Sequence, residues 1–238
     1  MTDSNKDLKN IIITGASRGI GRAALEYLAK NTEGKILAIA RSSEKLEELK
    51  NAINPQAELL VYSFDLQNGN YAELENYIKG EFSKIDILIN NAGALATKPA
   101  LELSEEDFDL MFDVNIKSVF RMTKICVPLM SKGSHMVNIS SMGGFQGSVK
   151  FPGLSLYSAS KGAVSTYTES LAAEFVEQGI SVNALAFGAV DTDMLRSAFP
   201  NFKAPLTATE MGEYLAKFAL DGGKFYNGKV LPVSSSTP

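Results

Sequence analysis

Tyr157 and Lys161 stand four residues apart in the stretch Leu156-Tyr157-Ser158-Ala159-Ser160-Lys161, which reads as part of a long helix. That spacing puts a phenol and an ammonium on one helix face. A cation beside a phenol favours the phenolate, so Lys161 is expected to lower the Tyr157 pKa from its ordinary value of about 10. Tyr157 then becomes a proton donor near neutral pH. Taken alone, such a pair is common on solvated helices, and its meaning depends on the elements that must position it.

The first of those elements is a short β-branched run, Lys9-Asn10-Ile11-Ile12-Ile13-Thr14, which stops at glycine as a fully buried parallel strand does. It leads into Gly15-Ala16-Ser17-Arg18-Gly19-Ile20-Gly21 and then a helix through Asn31. Glycines in a strand-turn-helix permit a tight turn and close backbone approach, and the helix N-terminus favours phosphate. The spacing is G-x-x-x-G-x-G rather than G-x-G-x-x-G, so the dinucleotide reading rests on context as much as on glycine count. A second strand, Lys35 to Ala40, ends where an NAD site would place an acid for the ribose hydroxyls. Arg41 stands there instead. With Arg18 it offers two guanidinium groups to a 2′-phosphate, which favours NADP(H) over NAD(H).

Further along, Glu58 to Phe64 is a third strand ending at Asp65-Leu66, where Asp65 either reaches an adenine edge or caps the next turn. Ile85 to Ile89 is a fourth strand, closed by Asn90-Asn91-Ala92-Gly93, small and amide residues suited to a ligand crevice. Ser104 and Asp107 read as a capping box opening a helix to about Met130, with Asn115 polar among apolar neighbours. His135 to Ser140 is a fifth strand, followed by a glycine-rich loop and then the Tyr157 helix, which is expected to end near Gln178-Gly179. Ile180 to Phe187 is a sixth strand, and Gly188 to Pro205 reads as an irregular, partly apolar lid. A last helix from Thr207 to Leu220 and a last strand from Lys229 to Val233 precede a serine-rich tail. Helices between the first strands cover Ser43 to Ala52 and Tyr71 to Phe82. Strands and helices alternate without a linker, so the 238 residues form one doubly wound α/β domain.

Composition narrows the functions further. A net charge of -4 gives no general attraction to nucleic acid or to an anionic membrane. One cysteine, Cys126, excludes an internal disulfide, and one histidine, His135, leaves almost nothing for a zinc site. Both read as structural, and no metal is expected. Met1 to Asn10 is polar and lacks the apolar run of a signal peptide, so a cytoplasmic protein is the expectation.

With these residues assembled, the chain resembles the classical short-chain dehydrogenase/reductase family over nearly its whole length. The motifs that carry the resemblance are Thr14-Gly15-x-x-x-Gly19-x-Gly21, Asn90-Asn91-Ala92-Gly93, Asn115, and Ser141 with Tyr157-x-x-x-Lys161. The resemblance implies a single Rossmann-type domain over residues 1–238, a central parallel sheet of about seven strands with helices on both faces, and substrate-site loops at 142–156 and 188–206. It implies that Tyr157 is the general acid or base, that Lys161 holds the nicotinamide ribose, and that Ser141 hydrogen-bonds the substrate carbonyl. Asn115 would anchor a water relaying protons to Lys161. Gly15, Ser17, Arg18, Gly19, Ile20 and Gly21 would carry the phosphates, Asp65 and Leu66 would flank adenine, and Asn91, with Ala92 and Gly93, would approach the ribose. Gly188, Val190 and Thr192 would stand by the nicotinamide.

The activity so implied is reduction of a ketone or aldehyde by NADPH, reversible as alcohol oxidation. Reduction of a 3-oxoacyl-(acyl carrier protein) is the nearest alternative within the class, for which Arg121, Lys124 and Lys132 could form the basic docking cluster. A non-catalytic NADP(H)-binding sensor or scaffold is the alternative outside it. The family pattern also implies a homodimer or homotetramer, with Ala163, Val164, Leu171 and Ala172 suited to the shared face and equally to an ordinary core. An apolar substrate pocket is expected from Phe145, Phe151, Leu154, Met194, Leu195 and Phe199. Two departures stand out. Ser141 precedes Tyr157 by sixteen residues, a longer interval than the family usually shows. Phe187-Gly188 replaces the usual Pro-Gly, which either loosens the turn or presses a ring on the nicotinamide.

Overall fold

The computed structural model describes residues 8–235; Met1 to Asp7 of the polar N-terminal stretch and the end of the serine-rich tail lie outside them. Seven parallel strands form the central sheet: β1 (Lys9–Thr14), β2 (Gly34–Ala40), β3 (Glu58–Ser63), β4 (Ile85–Asn90), β5 (Met130–Ser141), β6 (Ser181–Phe187) and, last in the chain, β9 (Val230–Val233). Their spatial order is β3-β2-β1-β4-β5-β6-β9. The order reverses between β1 and β4, so the connections leaving their C-terminal ends pass to opposite faces of the sheet, which is the place where open parallel sheets bind ligands.

Both faces of the sheet are covered, which is why its strands are written as unbroken apolar runs. One face carries α1 (Gly19–Asn31), α2 (Ser43–Ala52) and α8 (Ala208–Asp221), packed on Ile11, Ile13, Ile36, Ile87 and Leu185. The other carries α3 (Tyr71–Glu81), α5 (Ser118–Cys126) and α6 (Ser155–Glu174), packed on Ile12, Leu37, Leu88, Met136 and Val182. The residues at odd and even strand positions therefore sort to opposite layers, as the two-residue side-chain period requires, except across the irregularity between Ile85 and Ile87. Leu171 and Ala172 are buried in this packing and Val164 is buried beside it, so these three take the core reading, whereas Ala163 is only half-buried.

Three stretches differ from the sequence expectation. The helix opened by the Ser104–Asp107 capping box is not continuous to Met130: α4 (Glu105–Phe112) passes through a π-helical turn, Asp113–Lys117, into α5, and then a 3₁₀ turn, Val127–Leu129. The wide turn falls on Asn115, whose carboxamide is hydrogen-bonded to Ala94 and Ser160. Helix α6 stops at Glu174, not near Gln178. Gly179, at φ 71°, instead closes a separate turn whose carbonyl accepts from the Gly133 N–H at 2.9 Å. The segment after β6 is not irregular either: β7 (Val190–Asp191) pairs in parallel with β8 (Leu206–Thr207), and α7 (Asp193–Ala198) lies between them.

Candidate active site

The glycine turn after β1 is built against the end of β4. Thr14 Oγ1 accepts from the Asn91 and Ala92 N–H groups at 3.1 and 3.2 Å, and Asn91 Nδ2 donates to the Thr14 and Gly15 carbonyls at 3.0 and 3.2 Å. A Cβ at Gly15 would stand 2.8 Å from Ala92 Cα, and one at Gly21 would stand 2.3 Å from Asn91 Nδ2. Those two glycines are thus required by the contact between turn and strand end. Gly19, at φ 56°, is different: a Cβ there would point at Thr192, 3.4 Å from Cγ2. The gap it leaves lies at the start of α1, which opens without a side-chain cap and without an acidic residue in its first turn. Such an end can accept an anion. Ser17 is half-buried in the turn, and Arg18 and Arg41 are both exposed.

Across the crevice, Lys161 is almost fully buried, and its Nζ donates to the Ile139 carbonyl at 2.7 Å. Its own carbonyl accepts from Ser140 Oγ at 2.9 Å. Ser140 is also bonded to Ser165 Oγ at 2.9 Å, so this serine is occupied in fastening α6 to β5. Ser141 is the serine beside the phenol: its hydroxyl interacts with Tyr157 and accepts from the Gly143 N–H at 3.2 Å. Gly93 adjoins Lys161 from the β4 side, where a Cβ would come within 3.5 Å of Lys161 Nζ and 3.4 Å of Asn115 Oδ1.

The electrostatics correct one expectation. Lys161 Nζ lies 6.0 Å from the Tyr157 ring centre and is bonded to a carbonyl, so it does not pull the phenol down. Burial pushes the Tyr157 pKa up instead, opposed by the hydrogen bond from Ser141. Burial also pushes the Lys161 ammonium down to about 8. At neutral pH the phenol therefore keeps its proton.

Asn115 does not present its side chain to the crevice. Its Oδ1 accepts from the Ala94 N–H at 2.7 Å, and its Nδ2 donates to the Ala94 carbonyl at 3.0 Å and to Ser160 Oγ at 2.9 Å. Asp65 caps the turn after β3, accepting from the Gln67 N–H at 3.0 Å and Asn68 Nδ2 at 3.3 Å. Leu66 and Val190 are buried in the two core layers, and Ile20, half-buried, packs against one of them. Thr192 caps α7 through Leu195 N at 3.3 Å. Phe187 is neither loose nor aimed at the crevice: its ring is buried in the core, and the Gly188 N–H is bonded to the Val233 carbonyl at 2.9 Å. Gly188 has no room for a side chain, since a Cβ would stand 2.4 Å from Ser234 Oγ.

A hollow of about 650 Å³ opens beside Ser141, under the 142–156 loop. Phe145, Phe151, Pro152 and Leu154 line one wall, Pro99 and Ala100 the other, and Gly143 and Ser158 lie on the side nearest the serine. Met194, Leu195 and Phe199 do not line it. The 188–206 segment instead borders a smaller hollow of about 230 Å³ next to Gly19 and Thr192. Sequence reasoning gave no role to Thr14, Gly144 or Ser160, all of which hold the site together. Ser160 had one signal, its place directly before Lys161 on the buried side of the helix.

Among the described residues there is no cluster of three or more His, Cys, Asp or Glu able to hold a metal, and no helix long and apolar enough to cross a membrane. Cys126 is buried and unpaired. Residues 9–202 match the family model described as short chain dehydrogenase. The chain is 30% identical over 240 residues to 3-oxoacyl-(acyl-carrier-protein) reductase FabG of Escherichia coli (strain K12), covering 97% of each protein. Among solved structures it is similar to levodione reductase, with 28% identity, TM-score 0.83 and coverage of 95% and 96% of the two chains. A short-chain dehydrogenase/reductase from Serratia marcescens BCRC 10948 gives 26% identity, TM-score 0.83 and coverage of 94% and 96%.

Proposed function

The chain belongs to the short-chain dehydrogenase family and is an NAD(P)-dependent oxidoreductase, and we propose that it uses NADPH to reduce a ketone or aldehyde carbonyl, with Tyr157 as the proton donor. The observation that carries this reading is the convergence of Ser141, Tyr157 and Lys161 at the C-terminal end of β5, facing a glycine turn at the sheet's switch point. When bound, the nicotinamide cofactor supplies the hydride. The glycine turn, Arg18, Arg41, Asn91 and Thr192 are the residues that would hold it, Gly93 leaves the approach to Lys161 open, and Asn115 braces that approach from behind.

The chain's own groups do the rest. Charge develops on the carbonyl oxygen as the carbonyl carbon is reduced, and hydroxyl donors aimed at that oxygen stabilise it. Ser141 and Tyr157 are paired to do so. Burial keeps the Tyr157 phenol protonated, which suits the reductive direction: the proton is in place when the alkoxide forms. Lys161, anchored to β5 through both its ammonium and its carbonyl, fixes the helix that carries the phenol.

The preference for NADPH rests on two exposed guanidinium groups and on the absence of an acid at the end of β2. Arg41→Asp should weaken NADPH binding and leave NADH binding intact; equal affinities in the parent protein would overturn the preference. For the chemistry, NADPH oxidation over a panel of carbonyl compounds should vanish in Tyr157→Phe with cofactor binding retained, and full activity in that variant would sink the mechanism. Identity to a carrier-protein reductase supports 3-oxoacyl thioester reduction as a second reading. The expected basic cluster does not help it: Lys132 sits near the start of β5, the opposite end of that strand from Ser141, and the Arg121 guanidinium lies over the Tyr71 ring. Turnover of a 3-oxoacyl carrier thioester would favour that reading, and a tightly bound cofactor with no turnover of any carbonyl would favour a sensor. As in the family pattern, a homo-oligomer is proposed, and light scattering showing a monomer would refute it.

A further inference from the structure

Resting on the carbonyl-reductase reading, we propose that the substrate is an apolar oxo acid, whose apolar body occupies the hollow beside Ser141 and whose carboxylate meets Lys150. The hollow, at about 650 Å³, is within the range of small-ligand sites and can take a substituted ring or a medium alkyl chain. Its walls are joined before any ligand arrives: the Lys98 N–H donates to the Gly153 carbonyl at 3.2 Å, tying the loop to the Pro99 side. Within the loop, Ser148 Oγ donates to the Met142 carbonyl and to the Phe145 carbonyl, the latter at 2.9 Å.

Lys150 is the one charged residue among those lining the hollow, and no Asp or Glu accompanies it. Its Nζ donates to the Phe145 carbonyl and to Ser148 Oγ, both at 2.7 Å, and pairs with no carboxylate among the described residues. Two neutral acceptors on the loop thus hold the ammonium in place while leaving its charge uncompensated and one N–H unused. A single ammonium with one free N–H, and no second cation in the lining, suits a singly charged carboxylate. Gly143 joins the two halves of the site, since it lines the hollow and its N–H is bonded to Ser141 Oγ. A substrate lying in the hollow then presents its carbonyl toward Ser141 and Tyr157.

The test uses 4-oxo-4-phenylbutanoate and its methyl ester as a matched pair. The KM for the acid should be roughly tenfold below that for the ester, and Lys150→Gln, a change at an exposed side chain, should abolish that difference. Equal KM values in the parent protein, or a preference that survives Lys150→Gln, would overturn the proposal. Calorimetric titration with 4-phenylbutanoate, which has no carbonyl to reduce, separates this inference from the activity on which it rests. Binding that weakens roughly tenfold in Lys150→Gln supports the acid site even where no NADPH is consumed. Titration showing no dependence on Lys150 overturns it whatever the turnover.

Discussion

Asn115 and Ser160 meet across the contact between the π-helical turn and α6: the Asn115 carboxamide donates to the Ser160 hydroxyl at 2.9 Å, and that hydroxyl donates to the Tyr157 carbonyl at 2.8 Å. Both side chains are essentially excluded from water. Ser160 is therefore a positioning residue for the phenol. Ser160→Ala leaves one buried amide hydrogen of Asn115 without an acceptor, at a cost of about 1–3 kcal/mol. A displaced phenol should lower kcat more than it raises KM, and Ser160→Thr, which keeps the hydroxyl, should restore most of kcat. Urea denaturation and steady-state kinetics on the two variants measure both effects. An unchanged kcat in a destabilised Ser160→Ala protein would reduce the residue to a structural role.

Gly144 packs on the backbone of α6 at the position of Lys161. A Cβ there would stand 2.4 Å from the Lys161 carbonyl carbon and 2.5 Å from the Gly162 nitrogen. Backbone atoms cannot step aside as a flexible side chain can, so Gly144→Ala should cost about 1–3 kcal/mol and displace the helix at its lysine. Gly80, near the end of α3, is the control, because a Cβ there meets nothing within 4 Å. Gly80→Ala should be neutral or stabilising by up to about 1 kcal/mol. Thermal unfolding of the pair, with activity measured alongside, checks the contrast.

The alkaline limb of the pH profile should belong to Lys161. Burial disfavours its cation and brings its pKa down to about 8, so the ammonium is present below that pH and lost above it. Tyr157, shifted upward, keeps its proton through the same range. The profile of kcat/KM for reduction reports the free enzyme, and should fall above pH 8 by up to about tenfold per pH unit. A profile that stays flat to pH 10 would contradict this assignment.

His135 should make the fold acid-sensitive without touching the site. Its Nδ1 contacts the Ala219 carbonyl at 3.0 Å and its Nε2 contacts Asn183 Nδ2 at 3.1 Å, so the ring bridges β5 to α8 and β6. Burial pushes its pKa down to about 4, the Ala219 contact opposing. Above the unfolded value of about 6.5, neither state binds the proton. Between about 6.5 and 4 the unfolded chain takes it up and the folded chain does not, so stability falls as pH falls, by up to about 3 kcal/mol at the lower end. Urea midpoints between pH 7 and 4.5 should drop less steeply in His135→Gln than in the parent protein.

The sheet strands and most helices were legible in the chain because each is a local pattern. Buried parallel strands are continuous runs such as Ile11-Ile12-Ile13, and the capping boxes Ser104–Asp107 and Thr207–Glu210 satisfy backbone groups a few residues away. The order of motifs likewise pointed to the family, whose model spans residues 9–202. Local patterns were weakest in the segment after β6, where strands of two residues, β7 and β8, are too short to show a period.

What no spacing could reveal is which group each polar side chain finds. Asn91 reaches back to Thr14 and Gly15 across a separation of 76 or 77 residues, and Asn115 is used up by Ala94 and Ser160. The same holds for the charge on the phenol. Tyr157 and Lys161 are neighbours along the helix, yet the lysine turns to the Ile139 carbonyl of β5, and burial rather than proximity sets both pKa values. Helical spacing fixes which residues share a face; the dielectric and the hydrogen-bond partners around that face come from strands far away in the chain, and those exist only once the sheet is assembled.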